Sequence, residues 1–284
     1  MFFYNYMFIN KLDNNIKIPY KYIKGSFKER QTKSYLLIED VYKNLSEKIK
    51  DDYSIFNYDF LQKTILSFLP NKDLKIIIEN LSKNKKNVCE GFFKTKYDNN
   101  YNINAFLVLL NGISSSIRAR HLPVVLHEFQ HLSDVIYHPK YLSRLQSLNK
   151  KGLDNKRYEK FYDSFYYANE SAQNAQEKEE ILKIIKKNTK KFLRKLNISD
   201  KMDCIQDMRY SLESEIAAYS MQRKIANDLR SKGLMVSDFD FYDYPKSALF
   251  REKIDLLKQI AIEYITKERT NLNARSCKKQ NLNS

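Results

Sequence analysis

The segment VVLHEFQHLSDV, residues 124–135, constrains the fold most, because it places charged and polar side chains inside an apolar helical pattern. His127, Glu128 and His131 are surrounded by eight apolar residues: Leu122, Val124, Val125, Leu126, Phe129, Leu132, Val135 and Ile136. A helix that is apolar on all sides is buried, and buried charged groups are costly unless they have partners. The fold must therefore supply partners for these three side chains.

The spacing of the three side chains is typical of a metal site that activates water. On an α-helix His127 and His131 are separated by about 40° around the axis and ~6 Å along it, so both rings emerge on one face. Glu128 lies about 100° from His127, beside a metal that both rings could bind. Zinc would lower the pKa of a bound water toward about 7, and Glu128 would accept its proton. The alternative interpretation is the polar face of an ordinary helix.

A catalytic zinc usually has a third protein ligand, and neither remaining histidine fits that role well. His138 would lie roughly 10 Å beyond His131 on a continued helix. Since Pro139 follows it, we interpret His138 as a helix-end residue. His121 precedes the helix, and we expect it behind a ligand or on the substrate side. A carboxylate is therefore the expected third ligand.

The segment RYSLESEIAAYSMQRKI, residues 209–225, offers two glutamates for this role. Glu213 and Glu215 point about 200° apart on a helix, so only one of them can face the zinc. The face that carries Glu215 is the more apolar, so Glu215 is the one that needs a partner. Glu170, in YYANESAQNAQE, is the rival ligand, and its neighbours are more polar.

The motif HEFQH followed by Asp134, together with the later SEIAAY, resembles the gluzincin metallopeptidases. The HEFxHxxD form is similar to their lethal-factor-like and small bacterial and phage branches. Members have a thermolysin-like zinc core, with an HExxH helix and a downstream glutamate ligand. The resemblance covers about residues 88–230. It implies Zn²⁺ as cofactor, a protein or peptide as substrate, and four site residues: His127, His131 and Glu215 as ligands, and Glu128 as general base.

The resemblance also implies residues around the ligands. In this family an edge strand before the HExxH helix pairs with the extended substrate, and residues 102–110 are in the corresponding place. Members use a tyrosine or a histidine to stabilise the oxyanion; Tyr210 is our candidate, with Tyr219 as the second choice. Asp134 would orient a histidine ligand, or it is simply a carboxylate on the helix surface.

Few chain breakers favour long helices, since the 284 residues include only 5 Gly and 5 Pro. Strand patterns at 88–97 and 102–110, separated by the turn residues DNN, predict a hairpin. The predicted fold class is α+β, predominantly helical, with a zincin-like catalytic core and a small antiparallel sheet before the HExxH helix. Apolar periodicity predicts helices at 35–50, 58–69, 73–83, 123–137, 155–196 (two helices), 203–231 and 246–268.

The predicted division of the chain has three parts. Residues 1–85 form a helical N-terminal region, residues 86–270 form the metallopeptidase domain, and residues 271–284 form a disordered polar tail. The interval between His131 and Glu215 is long for compact gluzincins. We therefore expect a helical insertion at about 150–200 that caps the cleft or binds a partner.

The charge of the chain raises an alternative function. Fifty Lys and Arg against 34 Asp and Glu give a formal net charge of +16, which fits either a lysine-rich composition or a nucleic-acid partner. A basic stripe on one face of the 155–196 helices would favour a nucleic-acid-associated or virion structural protein. The three cysteines suggest no disulfide framework. With no Sec-type signal and no apolar stretch of about 20 residues, we expect a cytoplasmic protein, of bacterial, phage or viral origin, without a transmembrane segment.

Overall fold

The structure, a computed structural model, describes residues 27–70, 74–80, 91–99, 103–111, 115–138, 175–194, 196–236 and 247–280. In these residues the chain is predominantly helical with two small sheets, an α+β arrangement. It divides into two compact units, residues 1–146 with 221–241, and residues 147–220 with 242–284. The division at residue 220 falls inside one uninterrupted helix, so the chain passes from one unit to the other without a break there.

Among its described residues, the first unit has three helices, five strands and the C-terminal part of a fourth helix. In chain order the elements are α1 (Phe27–Ser46), β1 (Ile55–Asn57), α2 (Tyr58–Phe68), β2 (Ile76–Asn80), β3 (Gly91–Tyr97), β4 (Ile103–Leu110), β5 (Ser116–Arg118), a 3-10 turn (Ala119–His121) and α3 (Leu122–Tyr137). The helix that continues into the second unit is Ile198–Ser231. The predicted helices at 58–69 and 123–137 are confirmed, and the one at 35–50 begins earlier and ends at Ser46.

The larger sheet has the strand order β2-β4-β3, and its pairings are mixed. β3 and β4 form the predicted antiparallel hairpin, but β2 is parallel to β4, so the sheet is not wholly antiparallel. β2 replaces part of the helix predicted at 73–83: this prediction was wrong, because three consecutive β-branched residues, Ile76, Ile77 and Ile78, favour a strand paired with β4. The smaller sheet is the antiparallel pair β1-β5.

Helix α3 lies in the core of the first unit, and nearly all of its residues are buried, polar ones included. A hydrogen-bonded cluster joins it to α1. The hydroxyl of Ser34 donates to Oδ1 of Asp134 at 2.6 Å, and Nε2 of Gln130 donates to the same oxygen at 2.8 Å and to Ser34 at 3.0 Å. Ser133 donates to the carbonyl of Ser34 at 3.1 Å. These side chains are buried, so the cluster fixes how α1 packs on α3.

A second set of polar contacts attaches the C-terminal part of the Ile198–Ser231 helix to α1. The hydroxyl of Tyr42 donates to Asp228, and Lys224 pairs with Glu39. Lys232 also donates to Asp228, at 2.6 Å. Burial, and after it the hydrogen bond to Asp228, raises the pKa of Tyr42, so its hydroxyl stays protonated and remains a donor. On the same helix Met221, Ile225 and Leu229 are buried in the first unit's core.

The second unit is helical in its described part. It contains α4 (Ala175–Leu193), α5 (Ile198–Ser231, whose C-terminal part belongs to the first unit) and α6 (Ser247–Gln280). The core side chains come from all three helices: Ile185, Phe192, Leu193, Met202, Cys204, Ile205, Met208, Leu212, Phe250, Ile254, Leu256, Leu257 and Ile260. Two predicted helices continue further than expected, one beginning at Ile198 and the other ending at Gln280. Helix α6 includes residues 271–280, so the disordered tail predicted at 271–284 was wrong for those residues. Residues 155–174 lie outside the described residues, and the rest of the three-part division stays a prediction.

The Ser34 cluster generates a stability prediction. Ser34→Ala removes the hydroxyl that serves both Asp134 and Gln130 and leaves buried polar atoms short of a partner, so we expect a loss of about 1–3 kcal/mol in the free energy of unfolding, measured by urea denaturation. Ser46→Ala is the matched control on the same helix. Its exposed hydroxyl donates to the carbonyl of Lys43, and its loss should cost no more than about 0.5 kcal/mol. Equal effects of the two substitutions would contradict this role of Ser34.

Candidate metal centre

The two histidines of α3 direct the same ring atom toward one point. Nε2 of His127 and Nε2 of His131 are 3.2 Å apart, and the rings lie edge to face with centroids 4.9 Å apart. Two nitrogens on a tetrahedral zinc, each at about 2.0–2.1 Å from the ion, are expected about 3.3 Å apart. The i, i+4 spacing on α3 therefore places the two nitrogens at a distance that suits the binding of one metal ion.

Glu215 joins the two histidines. One ligand atom each from His127, His131 and Glu215 lies within 4.8 Å of the others. Glu215 precedes Met221 by six residues, about 1.7 turns of the uninterrupted helix α5, and Met221 is buried in the same core as α3. The position of Glu215 therefore depends on the packing of α5. The other glutamate of the segment, Glu213, pairs instead with Arg209 at 3.5 Å.

Glu128 is buried and lies against the first residue of β3. A Cβ atom built on Gly91 would lie 2.8 Å from Cγ and 2.9 Å from Oε1 of Glu128, and 2.9 Å from Cγ1 of Val124. Such separations are shorter than real Cβ atoms show. Only glycine therefore allows the backbone of β3 to approach the carboxylate of Glu128 this closely.

The same face of β3 also reaches the histidines. Side chains alternate along a strand, so Phe93 points to the same side as Gly91. The ring of Phe93 is stacked on that of His131, with centroids 6.4 Å apart, and on that of Phe106, at 6.2 Å. One face of a single strand thus contacts both Glu128 and a candidate metal ligand.

β3, and not β4, is the edge strand next to α3 in the described part of the sheet. β4 pairs with β2 on one side and β3 on the other, so the expectation that residues 102–110 form the edge was wrong. The error has a simple cause, because the apolar run of 103–110 indicates a strand but not which neighbours pair with it. The central position fits that run better, since a strand between two others is the more buried.

The remaining histidines lie at the two ends of α3. His138 is the C-cap, and its backbone N–H donates to the carbonyl of Asp134 at 3.0 Å, which confirms it as a helix-end residue. His121 is the N-cap, and its Nε2 accepts from Arg120 at 3.4 Å. Burial, followed by the charges of Arg120 and Arg118, lowers the pKa of His121 and favours its neutral form.

The remaining site residues predicted from the sequence are Asp134, Tyr210, Tyr219 and Glu170. Asp134 is buried, and its Oδ1 is bound by Ser34 and Gln130, so it is not a surface carboxylate; its orientation of a histidine stays a prediction. On α5, Tyr219 lies about 40° from Glu215, whereas Tyr210 lies about 140° from it. Glu170 lies outside the described residues.

Sequence reasoning missed Gly91, Phe93 and Ser34. A glycine within a strand pattern is a signal of close backbone approach, and Gly91 offered that signal without indicating its partner. Phe93 and Ser34 carry no comparable signal, because their roles depend on residues distant in the chain. Phe93 contacts His131, 38 residues later, and Ser34 contacts Ser133, 99 residues later.

Comparisons with protein-family models, curated proteins and solved structures found no match to this chain. Among the residues that the structure describes, no helix is both long and apolar enough to cross a membrane.

The close approach of β3 to Glu128 generates a second prediction. Gly91→Ala forces a methyl group against Glu128 and Val124, so we expect the metal-free protein to lose about 1–3 kcal/mol of stability in urea denaturation. In a double-mutant cycle, Val124→Ala should offset part of this loss, with a coupling of at least about 0.5 kcal/mol. Additive effects, or a Gly91→Ala variant as stable as the parent protein, would contradict the contact.

Proposed function

We propose that the protein is a zinc-dependent metallopeptidase in which His127, His131 and Glu215 bind the metal and Glu128 is the general base. The observation that carries this proposal is the convergence of three donors from two helices, with ligand atoms within 4.8 Å of one another. Two imidazoles and one carboxylate form a donor set that suits catalytic zinc. The gluzincin resemblance of HEFQH and SEIAAY supports the same assignment.

The surroundings of the donors also fit zinc. Both histidines lie on a helix packed in an apolar core, and a protein that buries such polar groups needs to partner them. Zinc bound there would act as a Lewis acid that lowers the pKa of a water and polarises a carbonyl group. Glu128 lies next to His127 in sequence and is held against the backbone of β3 at Gly91. This position supports a role for its carboxylate beside the histidines.

The chemical step assigned to this chain is proton transfer. Glu128 accepts a proton from the attacking water and delivers it to the nitrogen of the departing amine, as a general base followed by a general acid. Of the two candidate tyrosines, Tyr219 lies nearer to the direction of Glu215 on α5, and it is half-buried. We assign to its hydroxyl the hydrogen bond that stabilises negative charge on the carbonyl oxygen.

A peptide is the substrate that the neighbourhood of Glu128 suits. β3 has a paired strand on one side only among the described residues, and an extended peptide can bind such an edge through main-chain hydrogen bonds. Gly91 and Phe93 bring this strand against Glu128 and His131. A peptide paired with β3 would therefore run past the proposed catalytic residues.

The metal assignment predicts the zinc content of purified protein. We expect about one zinc per chain by elemental mass spectrometry. His127→Ala or Glu215→Ala should weaken zinc binding by at least about 100-fold, because each removes one of three ligands. The affinity is measured by competition with a chelator.

Two glutamates serve as controls for Glu215. Glu213→Ala changes the same helix two residues away and should keep zinc, because Glu213 pairs with Arg209. Glu170→Ala should also keep zinc. If Glu170→Ala loses zinc while Glu215→Ala keeps it, the ligand assignment is wrong. If the parent protein binds no zinc after reconstitution, the whole proposal fails.

The base assignment predicts a separation of binding from cleavage. Glu128→Gln preserves the shape of the side chain but cannot accept the proton, so cleavage of fluorescein-labelled casein should fall by about 10²–10⁴-fold while zinc content stays unchanged. Zinc binding without cleavage by the parent protein would retain the metal site and reject the peptidase.

The same assay distinguishes the two tyrosines. Tyr219→Phe should lower kcat by about 10²-fold or more, and Tyr210→Phe, on another face of α5, should leave kcat nearly unchanged. The reverse pattern would restore Tyr210 as the oxyanion donor.

A further inference from the structure

A basic stripe lies on helix α4, in the second unit. The C-terminal part of this helix and the residue after it carry six basic side chains and no acidic one: Lys183, Lys186, Lys187, Lys190, Lys191 and Arg194. Four of them, Lys183, Lys187, Lys191 and Arg194, are exposed and fall within about 80° of one another around the helix axis. We call these four residues the α4 stripe. It extends over ~16 Å of the axis.

The basic residues of α4 divide into those that have acidic partners and those that have none. Lys186 and Lys190 both pair with Glu263 of α6, and Lys183 pairs with Glu179 at 2.7 Å. Lys187, Lys191 and Arg194 form no ion pair with any residue that the structure describes. The side of α4 near α6 is therefore partly neutralised, because Lys186 and Lys190 share one carboxylate, whereas most of the stripe has no acidic partner.

Helix stability does not account for the whole stripe. Cations in the last turn of a helix interact favourably with its dipole, but the effect is confined to about one turn. It covers Lys190 and Lys191, but not Lys183 or Lys187. Like charges four residues apart destabilise a helix, and Lys183, Lys187 and Lys191 follow one another at that spacing. These like-charge neighbours thus do not stabilise the helix that carries them.

We propose that the α4 stripe binds the phosphodiester backbone of nucleic acid. Along one strand of a duplex the phosphates advance about 3.4 Å per step, so ~16 Å of helix faces about five of them. Lysine side chains are flexible point charges and contact phosphates without reading bases. The binding is therefore independent of base sequence and dependent on salt. The α4 stripe and the proposed metal centre share no residue, so neither proposal requires the other.

The apolar residues of α4 argue for nucleic acid over an anionic membrane. A helix that binds at a membrane surface inserts a large apolar face beside its basic face. In α4 the corresponding residues are packed against the core of the second unit: Ile181, Leu182, Ile185, Phe192 and Leu193. Ile184 is the one large apolar side chain of the described helix that is strongly exposed. A cationic ridge on a packed helix suits a polyanion that stays in water.

The test compares two triple variants of the full-length protein that carry the same net charge. Lys187→Ala, Lys191→Ala and Arg194→Ala remove the unpaired part of the stripe. The control, Lys33→Ala, Lys50→Ala and Lys63→Ala, removes three exposed lysines of the first unit. Binding to a fluorescein-labelled duplex DNA of 20 base pairs is measured by anisotropy over a range of salt concentrations. Circular dichroism checks that both variants keep their helix content.

We expect the stripe variant to bind DNA at least about tenfold more weakly than the parent protein at low salt, and the slope of log affinity against log salt to become shallower by about 3. The control should change both quantities much less. Equal weakening of the two variants would assign binding to net charge alone and overturn the proposal. Absence of DNA binding by the parent protein would also overturn it, as would stripe-dependent binding only to vesicles that contain anionic lipid.

Discussion

The burial of polar side chains on α3 is the constraint on which the first unit depends. This helix carries two groups of polar side chains in an apolar core. One group is His127, Glu128 and His131, and the other is Gln130, Ser133 and Asp134. A neighbouring element packs against each group. Helix α1 contributes Ser34 to one face, and β3 contributes Gly91 and Phe93 to another. Because an unpartnered polar group in the core is costly, the sequence of α3 restricts which side chains can pack around it.

The continuity of α5 gives Glu215 its place without a loop. In the C-terminal part of this helix, Asp228 is bound by Tyr42 and Lys232, and Lys224 by Glu39. The packing of Met221 and Leu229 supports the same docking. A ligand on an unbroken helix is held more precisely than one on a loop. Helix α1 carries no candidate catalytic residue, but its contacts with α5 help to position the helix that carries Glu215.

The sequence was informative where the signal is local and not where it is long-range. The i, i+4 spacing and the surrounding apolar residues predicted both the helix and its burial. The more apolar face of a later helix favoured Glu215, which lies close to the two histidines in the structure. The helix predicted at 73–83 includes the three isoleucines that form β2, because a short apolar run has no distinctive period. The edge strand was predicted wrongly, and the contacts of Gly91 and Ser34 were not predicted. No local sequence pattern specifies strand order or tertiary contacts.

The short antiparallel pair β1-β5 is joined directly to the start of α3. β5 pairs with β1 over three residues, Ile55 to Arg118 through Asn57 to Ser116, and it passes into α3 through a single 3-10 turn. No flexible linker separates the ladder from the helix. A slip of this pairing by one residue would exchange the two faces of β5 and move the start of α3 by ~3.3 Å along the strand. The register of this three-residue pairing therefore helps to set where His127 and His131 lie along the core.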